Sequence, residues 1–523
     1  MKRFEGLKRI ESEETPWDIL IIGGGSTGLG SALDAVSRGF RTLLIEQDDF
    51  GKGTSSRSTK LIHGGVRYLR QGNVSLVSES LAERGWLVNS LPNLVQPQLF
   101  LIPTFSFWET WYYRIGLWMY DRLAGALGLN SSKRCNRDQA LELIPTLKPD
   151  RLSGGVVYWD GLFDDARLCI EIADTVWKNG GLALNYVRAE SLLKEDGKVF
   201  GVSAVDSLSG SRFDLEAKVV IQATGIFSDK IRIKDSNKST SIIQASRGSH
   251  IVMDGSFLPN GNAIMVPKTS DGRLLFLVPW HGKVIAGTTD IPDENICLEP
   301  KATDEEIDFI IENAAPYLAK TLTREDVSSA FSGLRPLVTP PKSEGNTASI
   351  SRDHYIEVSE SGLITIAGGK WTTFRKMGED AIDTAIQSGG LEDRPSRSQS
   401  MKFSGDLSAE DSSHRFARKV SNADTLQSWI EEDPKLGERI HERLDYSWAE
   451  VLWAIREELA ESLEDVLARR TRSLFLDASA SLDIAPSIAQ FMAEELGRDS
   501  DWEEQSIAAF NEIADAFRVN ASD

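Results

Sequence analysis

The chain has 523 residues, of which 41% are hydrophobic and 26% are charged, and its formal net charge at pH 7 is −20. Such a length exceeds that of one ordinary core, so we expect two or three domains. The acidic excess argues against general nucleic-acid binding, because too few lysines and arginines remain to neutralise phosphates. Any anion site must therefore be a local basic island.

The N-terminal segment and the cysteines both favour a cytoplasmic protein. Residues 1–18 carry basic and acidic side chains with no apolar run behind them, which is unlike a signal peptide or a transit peptide. No apolar stretch of the sequence is long enough to span a bilayer. Cys135, Cys169 and Cys297 lie far apart and form neither a disulfide framework nor a zinc-binding spacing. We therefore expect a reducing compartment and no metal site.

Residues 17–47 predict a strand, a glycine-rich turn, a helix and a second strand. The turn contains the pattern Gly23-x-Gly25-x-x-Gly28. The first glycine permits the tight turn, the second lets a pyrophosphate approach the backbone, and the third lets the helix and strand pack closely. The pattern in this setting predicts a dinucleotide site.

Three side chains near this turn complete the predicted dinucleotide contacts. Glu46 ends the second strand, about 20 residues after the turn, where a carboxylate accepts ribose hydroxyls. Ser26 and Thr27 begin the helix, whose N-terminus favours a phosphate. A glycine turn that served packing alone would not explain the position of Glu46.

Residues 53–69, GTSSRSTKLIHGGVRYL, gather hydroxyls, a glycine pair and four basic side chains in an acidic chain. The basic residues are Arg57, Lys60, His63 and Arg67. Two interpretations are open: a solvated basic loop with a buried His63, or a segment that passes close to an anionic cofactor. The apolar pair before the glycines favours the second interpretation, because a solvated loop has no use for it.

Residues 100–123 are unusually aromatic. The apolar positions that follow helical spacing are Trp108, Trp111, Tyr112, Ile115 and Met119. Two interpretations stay open. The helix either lies in the core of a substrate domain or enters the membrane interface to meet a quinone, since tryptophan and tyrosine favour that boundary.

Two more glycine turns follow apolar strands further along the chain. One ends in Ala223-Thr224-Gly225, and the other precedes a helix that Thr372 or Thr373 could cap. The partial positive charge of that helix N-terminus suits the anionic end of a reduced flavin. Three separated turns indicate one large cofactor across a discontinuous domain, whereas NAD needs only the compact unit. FAD is therefore the predicted cofactor.

The last third of the chain has a different composition. Residues 387–413 are polar and rich in glycine and serine, and long amphipathic helical patterns follow them. These patterns predict a helical C-terminal domain. The segment LARRTR at 467–472 has three interpretations that stay open: a site for an anion or acidic partner, a solvated face, or an intramolecular brace.

Eight motifs carry a family resemblance. They are IIGGGSTGLG, GTSSRSTKLIHGGVRYL, YWDGLFDDARL, RGSHIV, SGLRPLV, SRDHYI, AGGKWTTFRKM and EDVLARRTR. Together they resemble the FAD-dependent glycerol-3-phosphate dehydrogenases of the aerobic, quinone-linked type, over nearly the whole chain. The resemblance implies an α/β fold with a discontinuous Rossmann-like FAD domain, an antiparallel-sheet substrate domain and an all-helical C-terminal cap domain. The expected ranges are 16–95, 150–240 and 345–395 for the FAD domain, 96–149 and 241–344 for the substrate domain, and 405–523 for the cap.

The resemblance also implies where FAD is held. Within residues 53–69, Ser58 and Lys60 are expected near the flavin edge, and the backbone at Gly64 and Gly65 beside the flavin ring. The predicted cofactor-binding residues are Gly23, Gly25, Ser26, Thr27, Gly28, Glu46, Thr54, Ser55, Ser56, Ser58, Lys60, His63, Gly64, Gly65, Val187, Ala223, Thr224, Gly225, Gly369, Lys370, Thr372 and Thr373.

A dianionic substrate is implied in the same way. Arg335 and Arg352 are expected to hold its phosphate, because guanidinium forks match phosphate oxygens two at a time. The predicted substrate-binding residues are Arg67, Tyr68, Arg335, Arg352 and Lys370, and the predicted catalytic residues are His250, Lys370 and Arg335. His250 is the leading general base and Lys370 the alternative. His250 as a core histidine satisfied by backbone groups stays open.

The function implied by the resemblance is FAD-dependent oxidation of sn-glycerol 3-phosphate to dihydroxyacetone phosphate, by hydride transfer to flavin, with a quinone as electron acceptor. The alternatives are an oxidase that uses O2, a related flavin dehydrogenase for a 2-hydroxy or 2-amino acid, and a flavin-bound regulatory protein without turnover. We expect a cytoplasmic protein with no nucleic-acid partner. Peripheral contact with the inner face of the membrane and a homodimer are both left open.

Overall fold

The computed structural model describes residues 1–66, 72–339, 354–403 and 422–519. The strands are β1 (Trp17–Ile22), β2 (Thr42–Ile45), β3 (Leu61–Ile62), β4 (Val95–Thr104), β5 (Lys133–Asn136), β6 (Gly154–Phe163), β7 (Leu182–Leu184), β8 (Val187–Glu195), β9 (Lys198–Asp206), β10 (Arg212–Gln222), β11 (Ile243–Asp254), β12 (Ala263–Val266), β13 (Leu275–Trp280), β14 (Lys283–Gly287), β15 (Ile291–Pro292), β16 (Val327–Val338), β17 (His354–Val358), β18 (Ile364–Gly368), β19 (Arg439–His441) and β20 (Leu444–Ser447).

The helices alternate with these strands and then dominate the C-terminal region. They are α1 (Arg3–Ser12), α2 (Ser26–Ser37), α3 (Val74–Ser90), α4 (Phe107–Ala124), α5 (Arg137–Leu143), α6 (Asp165–Lys178), α7 (Ser228–Asp235), α8 (Asp304–Ala314), α9 (Phe374–Gly389), α10 (Ala423–Glu432), α11 (Trp448–Glu457), a π-helix (Asp465–Arg470), α12 (Ser473–Leu476), α13 (Ala478–Leu496) and α14 (Ser500–Asp515).

The first sheet has the strand order β17-β18-β10-β1-β2-β7, with β9 and β8 continuing from β10. Its centre is parallel, because β1 pairs in parallel with β10 and with β2. The apolar residues of β1 are buried on both faces, as a central parallel strand between helices requires. Helices α2 and α9 pack against each other beside this sheet. This arrangement agrees with the predicted Rossmann-like fold.

The second sheet has the strand order β15-β11-β14-β13-β12-β4-β6-β3, and β16 and β5 pair with β11 and β6. Its described pairs are antiparallel except for β4 and β12, which run in parallel. β6 pairs with β4 along its whole length, so residues 154–163 belong to this sheet. Residues 154–163, which fall in the predicted FAD-domain range 150–240, thus join the second sheet, because an apolar strand does not reveal in the sequence which sheet it joins.

The C-terminal region is helical as predicted, with one difference. β19 and β20 form a small antiparallel hairpin before α11, so the region is not entirely helical. The region packs on the second sheet through a core that includes Trp280, Phe331 and Phe475.

The aromatic segment forms helix α4, which is neither wholly in the protein core nor wholly at the surface. Leu117, Tyr120 and Ala124 are buried against the protein, while Trp108 on the outer side is 80% exposed. We call the exposed side the aromatic face; it consists of Phe107, Trp108, Trp111, Tyr112, Ile115, Trp118 and Met119. Among the described helices, none combines the length and apolarity needed to cross a membrane.

Candidate cofactor and substrate site

The three glycine turns meet at one cavity of about 840 Å³. This volume is in the range of ligand and cofactor pockets. The predicted residues that line it are Gly23, Gly25, Ser26, Thr27, Glu46, Thr54, Ser55, Ser58, His63, Gly65, Val187, Ala223, Thr224, Gly225, His250, Arg335, Gly369, Lys370 and Thr372. Turns that are far apart in the sequence are thus brought together by the parallel order of β1, β10 and β18.

The first turn shows why glycine is needed at its start. Gly23 has φ +112°, which side chains rarely adopt, and an added Cβ would lie 2.6 Å from the carbonyl oxygen of Ala223. Gly28 does not line the cavity; an added Cβ there would collide with the backbone of Gly23. The N-terminus of α2 faces the cavity through Gly25 and Ser26, which suits a phosphate.

Glu46 lies at the carboxyl end of β2 and lines the cavity. Its carboxylate accepts hydrogen bonds from the backbone N–H of Gly24 at 2.6 Å and of Asp48 at 3.0 Å. Burial raises the pKa of Glu46 to about 7, although these two N–H groups act to lower it. This carboxylate, with Val187 beside it in the cavity wall, could hold the ribose of a dinucleotide.

Besides Gly28, four predicted cofactor residues lie behind the cavity wall instead of lining it: Ser56, Lys60, Gly64 and Thr373. The Lys60 ammonium is completely buried, 2.7 Å from Asp165, and it also donates to the carbonyl oxygen of Ser56. Burial lowers the pKa of Lys60 to about 7, against the opposing effect of Asp165. The predicted contact of Lys60 with the flavin edge is therefore corrected to a structural ion pair.

Gly64 and Thr373 also do not line the cavity, and their immediate surroundings explain why. The backbone N–H of Gly64 donates to the Tyr120 hydroxyl at 2.7 Å, so it faces α4 and not the cavity. Thr373 stands at the N-cap of α9 without a capping hydrogen bond from its side chain. The hydroxyl of Thr372 instead accepts from the backbone N–H of His63 at 3.2 Å and so ties two walls of the cavity together.

His250 lies on β11 and lines the cavity. Its Nε2 is 2.9 Å from the hydroxyl of Thr59, and its ring stacks on Phe331 with centroids 4.8 Å apart. Burial, followed by the positive charges of Lys60 and Arg335, holds the pKa of His250 well below its usual range. The imidazole is therefore neutral, as a general base must be.

Arg335 reaches the cavity from β16. Its guanidinium donates to the hydroxyl of Thr288 at 3.0 Å and to the carbonyl oxygen of Thr289 at 3.1 Å, and it lies 3.4 Å from the Asp290 carboxylate. A side chain at Gly248 on the neighbouring strand would collide with this guanidinium. Glycine at that position leaves the space through which Arg335 extends.

Lys370 lies beside the third glycine turn, and its ammonium donates to the hydroxyl of Ser80 at 2.9 Å. It lines the same cavity as His250 and Arg335. The predicted substrate-binding residues that the structure describes, Arg335 and Lys370, therefore lie on one cavity. The remaining predicted substrate residues, Arg67, Tyr68 and Arg352, lie outside the described residues.

Thr59 and Asp160 are among the cavity residues that were not predicted from the sequence. Thr59 was passed over within the hydroxyl-rich segment, although it stands between Ser58 and Lys60. Asp160 lines the cavity from β6 and is held by Arg84 and Tyr120, each at 2.8 Å from the same carboxylate oxygen. Burial raises the pKa of Asp160 and the Arg84 charge lowers it. The YWDG motif, which contains Asp160, was the sequence signal that could have identified this residue.

The donor set of this cavity fits FAD. A helix N-terminus and a strand-end carboxylate stand at one part of the cavity wall, and three glycine turns offer backbone to a long ligand. Cationic and imidazole groups stand at another part of the wall. A compact NAD unit would use only the first of these groups.

Two family models match the chain. One, described as FAD dependent oxidoreductase, matches residues 18–375, and the other, described as the C-terminal domain of alpha-glycerophosphate oxidase, matches residues 364–503. The mitochondrial glycerol-3-phosphate dehydrogenase of Homo sapiens is 41% identical over 523 aligned residues, covering 92% of this chain and 71% of that protein. The probable mitochondrial enzyme of Caenorhabditis elegans is 40% identical, covering 94% and 72%.

Solved structures agree with the sequence matches. The glycerol-3-phosphate dehydrogenase from Bacillus halodurans, complexed with FAD, is 30% identical and superimposes with a TM-score of 0.80, covering 99% of this chain and 97% of that one. The FAD-bound L-alpha-glycerophosphate oxidase from Mycoplasma pneumoniae, at 17% identity and a TM-score of 0.56, shares the fold over 74% of this chain and 98% of that one. The chain therefore belongs to the glycerol-3-phosphate dehydrogenase family of FAD-dependent oxidoreductases, and FAD is its cofactor.

Proposed function

We propose that the protein oxidises sn-glycerol 3-phosphate at C2 to dihydroxyacetone phosphate and that a membrane quinone accepts the electrons. The observation that carries this proposal is the presence of Arg335, Lys370 and His250 on the wall of the cavity that the three glycine turns form. The relatives whose names specify glycerol 3-phosphate support the choice of substrate.

Arg335 binds the substrate phosphate in this proposal. Its guanidinium is half-buried and is already oriented by Thr288 and Thr289, so little conformational freedom is lost when an anion binds. Arg352, Arg67 and Tyr68 remain predicted contacts to the substrate. Binding energy from the phosphate, which does not react, orients C2 for oxidation.

His250 receives the proton of the C2 hydroxyl, because its imidazole is neutral in the buried site. Lys370, which lines the same cavity, contributes positive charge near the substrate oxygens. FAD, when bound, supplies the two-electron acceptor for the C2–H bond. Of these groups, His250 is buried, whereas Arg335 and Lys370 are half-buried.

The aromatic face of α4 supports contact with a membrane and its quinone. Its tryptophan and tyrosine side chains are exposed, and these residue types favour the membrane interface. The neighbouring strand β5 carries exposed Lys133 and Arg134, a local positive surface on an acidic protein. Tyr120 on the inner side of α4 contacts Asp160 of the cavity wall, so the face lies next to the site.

Anaerobic mixing with sn-glycerol 3-phosphate tests the proposed reaction. We expect the absorbance of oxidised flavin to bleach and dihydroxyacetone phosphate to accumulate in equal amount. Glycerol serves as the control and should bleach the flavin far more slowly, because it lacks the phosphate. A flavin that stays oxidised at saturating glycerol 3-phosphate would overturn the proposal. Reoxidation by a quinone analogue, compared with air, then tests the electron acceptor.

A further inference from the structure

Thr59 lines the cavity and is in hydrogen-bond contact with His250. Its hydroxyl oxygen is 2.9 Å from Nε2 of His250, and the residue itself lines the cavity wall. Thr59 is half-buried, whereas His250 is only 2% exposed. A group bound in the cavity therefore meets the threonine hydroxyl more readily than the imidazole behind it.

One face and one edge of the imidazole ring are packed against the protein. Phe331 stacks on one face of the ring, at an interplanar angle of 14°. On the neighbouring strand, an added Cβ at Gly287 would collide with the ring, which shows how tightly the edge of the ring is packed. Nδ1 is buried and has no hydrogen-bond partner among the described residues. The hydroxyl of Thr59 is thus the polar neighbour through which a proton can reach Nε2.

Nearby cations make a protonated resting imidazole unfavourable. The Lys60 ammonium lies 5.0 Å from the centre of the Phe331 ring, on which His250 stacks. Arg335 adds a second positive charge close to the imidazole. In the neutral ring Nε2 can accept the Thr59 proton, because the hydroxyl is both a donor and an acceptor.

We propose that Thr59 relays the proton of the substrate C2 hydroxyl to His250. This inference rests on the proposed function, in which His250 is the final acceptor. The substrate O–H bond breaks and its proton joins the Thr59 oxygen, while the Thr59 O–H bond breaks and that proton joins Nε2 of His250. C2 is oxidised from an alcohol to a ketone as its C2–H bond breaks, and FAD, when bound, would accept that hydrogen with its electron pair as a hydride. Atoms and charges balance, and Thr59 is regenerated with a new proton.

Thr59→Val removes the hydroxyl at nearly constant volume, and Thr59→Ser restores it. We expect the valine variant to reduce its flavin with glycerol 3-phosphate at least about 100-fold more slowly, which is the typical lower contribution of a positioned proton acceptor. The substrate dissociation constant and the FAD content should change less than about threefold. The serine variant should recover most of the rate. The matched control is Thr384→Val: among the described residues, the Thr384 hydroxyl donates to the carbonyl oxygen of Asp380 on its own helix, and Thr384 does not line the cavity.

Two further measurements separate a relay from a structural contact. In the wild-type protein, a proton inventory of flavin reduction in mixtures of H2O and D2O should be curved, since two protons move together; a linear inventory would overturn the relay even if the variants did not fold. In ¹⁵N-histidine NMR spectra of the resting holoenzyme, the Nε2 resonance of His250 should shift in the valine variant and return in the serine variant.

The outcomes also separate this inference from the proposed function. If the wild type is reduced by glycerol 3-phosphate and Thr59→Val is reduced equally fast, the relay is wrong and the proposed function stands. The relay is also wrong if Thr59→Ser is as slow as the valine variant. If the wild type is not reduced at all, the proposed function is wrong and the relay is wrong with it.

Discussion

His250 lines the cofactor cavity, and burial holds its pKa well below the usual range. Burial is the largest cause, and the charges of Lys60 and Arg335 follow. A buried histidine would otherwise be a poor base, because protonation in low dielectric is costly. Here the hydroxyl of Thr59 and a bound anionic substrate are the compensating partners in our account.

The low pKa of His250 predicts a specific titration. In the resting holoenzyme, the imidazole ¹⁵N resonances of His250, assigned with His250→Gln, should remain those of the neutral ring well below pH 6.5. The unfolded chain binds a proton near pH 6.5 that the folded chain does not. The free energy of unfolding should therefore decrease as the pH falls through that value. A His250 titration midpoint near 6.5 would contradict the account.

Residues whose role depends on the local turn could be predicted from the sequence. Gly23 and Glu46 are examples, since the strand–turn–helix unit fixes both positions. Lys60 could not be assigned, because its partner Asp165 is 105 residues away in the chain. The same applies to Thr59, whose partner His250 is 191 residues away and meets it only through the second sheet.

At the scale of single elements, α4 is a helix whose two sides differ in their surroundings. Its inner side holds Tyr120 against Asp160 and the backbone of Gly64, both next to the cavity. Its outer side leaves the aromatic face in solvent. The sequence indicated that the helix is rich in aromatic residues. It did not indicate which side is buried and which is exposed, because helical spacing alone does not show which side packs against the protein.

We predict that the aromatic face binds anionic vesicles. Trp108→Glu combined with Ile115→Glu should lower the vesicle partition coefficient at least about tenfold, since each lost apolar side chain removes about 1.5–3 kcal/mol of burial. Co-sedimentation with phosphatidylglycerol-containing vesicles measures this. The control is Leu208→Glu, on an exposed turn between β9 and β10. Equal binding of the double variant and the wild type would rule out this face.

Across the whole molecule, a buried ion cluster connects the C-terminal region to the cofactor cavity. Asp49, in the loop after β2, is paired with Arg469 and Arg470 of the π-helix. Lys52 of the same loop lines the cavity and lies 2.9 Å from Glu464. The segment 467–472 is therefore an intramolecular brace, one of the three interpretations left open by its sequence. Its partners could not be predicted, because the chain places them more than 400 residues apart.

This cluster predicts acid sensitivity. Burial acts to raise the pKa of both carboxyls, but the two arginines hold the pKa of Asp49 well below its usual range, and Arg469 with Lys52 lowers the pKa of Glu464 to about 2. The stabilisation is present above the ordinary carboxyl pKa and is lost as the pH falls toward these lowered values. Urea unfolding of the holoenzyme should therefore show a steep loss of stability between about pH 5 and 3.

A substitution isolates the contribution of the cluster. Asp49→Asn removes the described counter-charge of the buried Arg470 and one of the three carboxylates around Arg469, and should cost about 3–5 kcal/mol in the free energy of unfolding. Asp515→Asn, which removes an exposed pair with Arg518, should cost less than about 1 kcal/mol. Similar losses for both variants would mean that the cluster does not brace the fold.

The central claim is that Arg335 directs this cavity toward a phosphorylated alcohol, and one comparison tests it most directly. The anaerobic flavin-reduction kcat/KM of the wild type and of Arg335→Ala is measured with sn-glycerol 3-phosphate and with glycerol. Loss of a charged partner costs several kcal/mol, so kcat/KM for glycerol 3-phosphate should fall about 100-fold or more. The value for glycerol should change less than about threefold. An equal fall for both substrates would contradict the account, because Arg335 would then support the fold or the cofactor and not the phosphate.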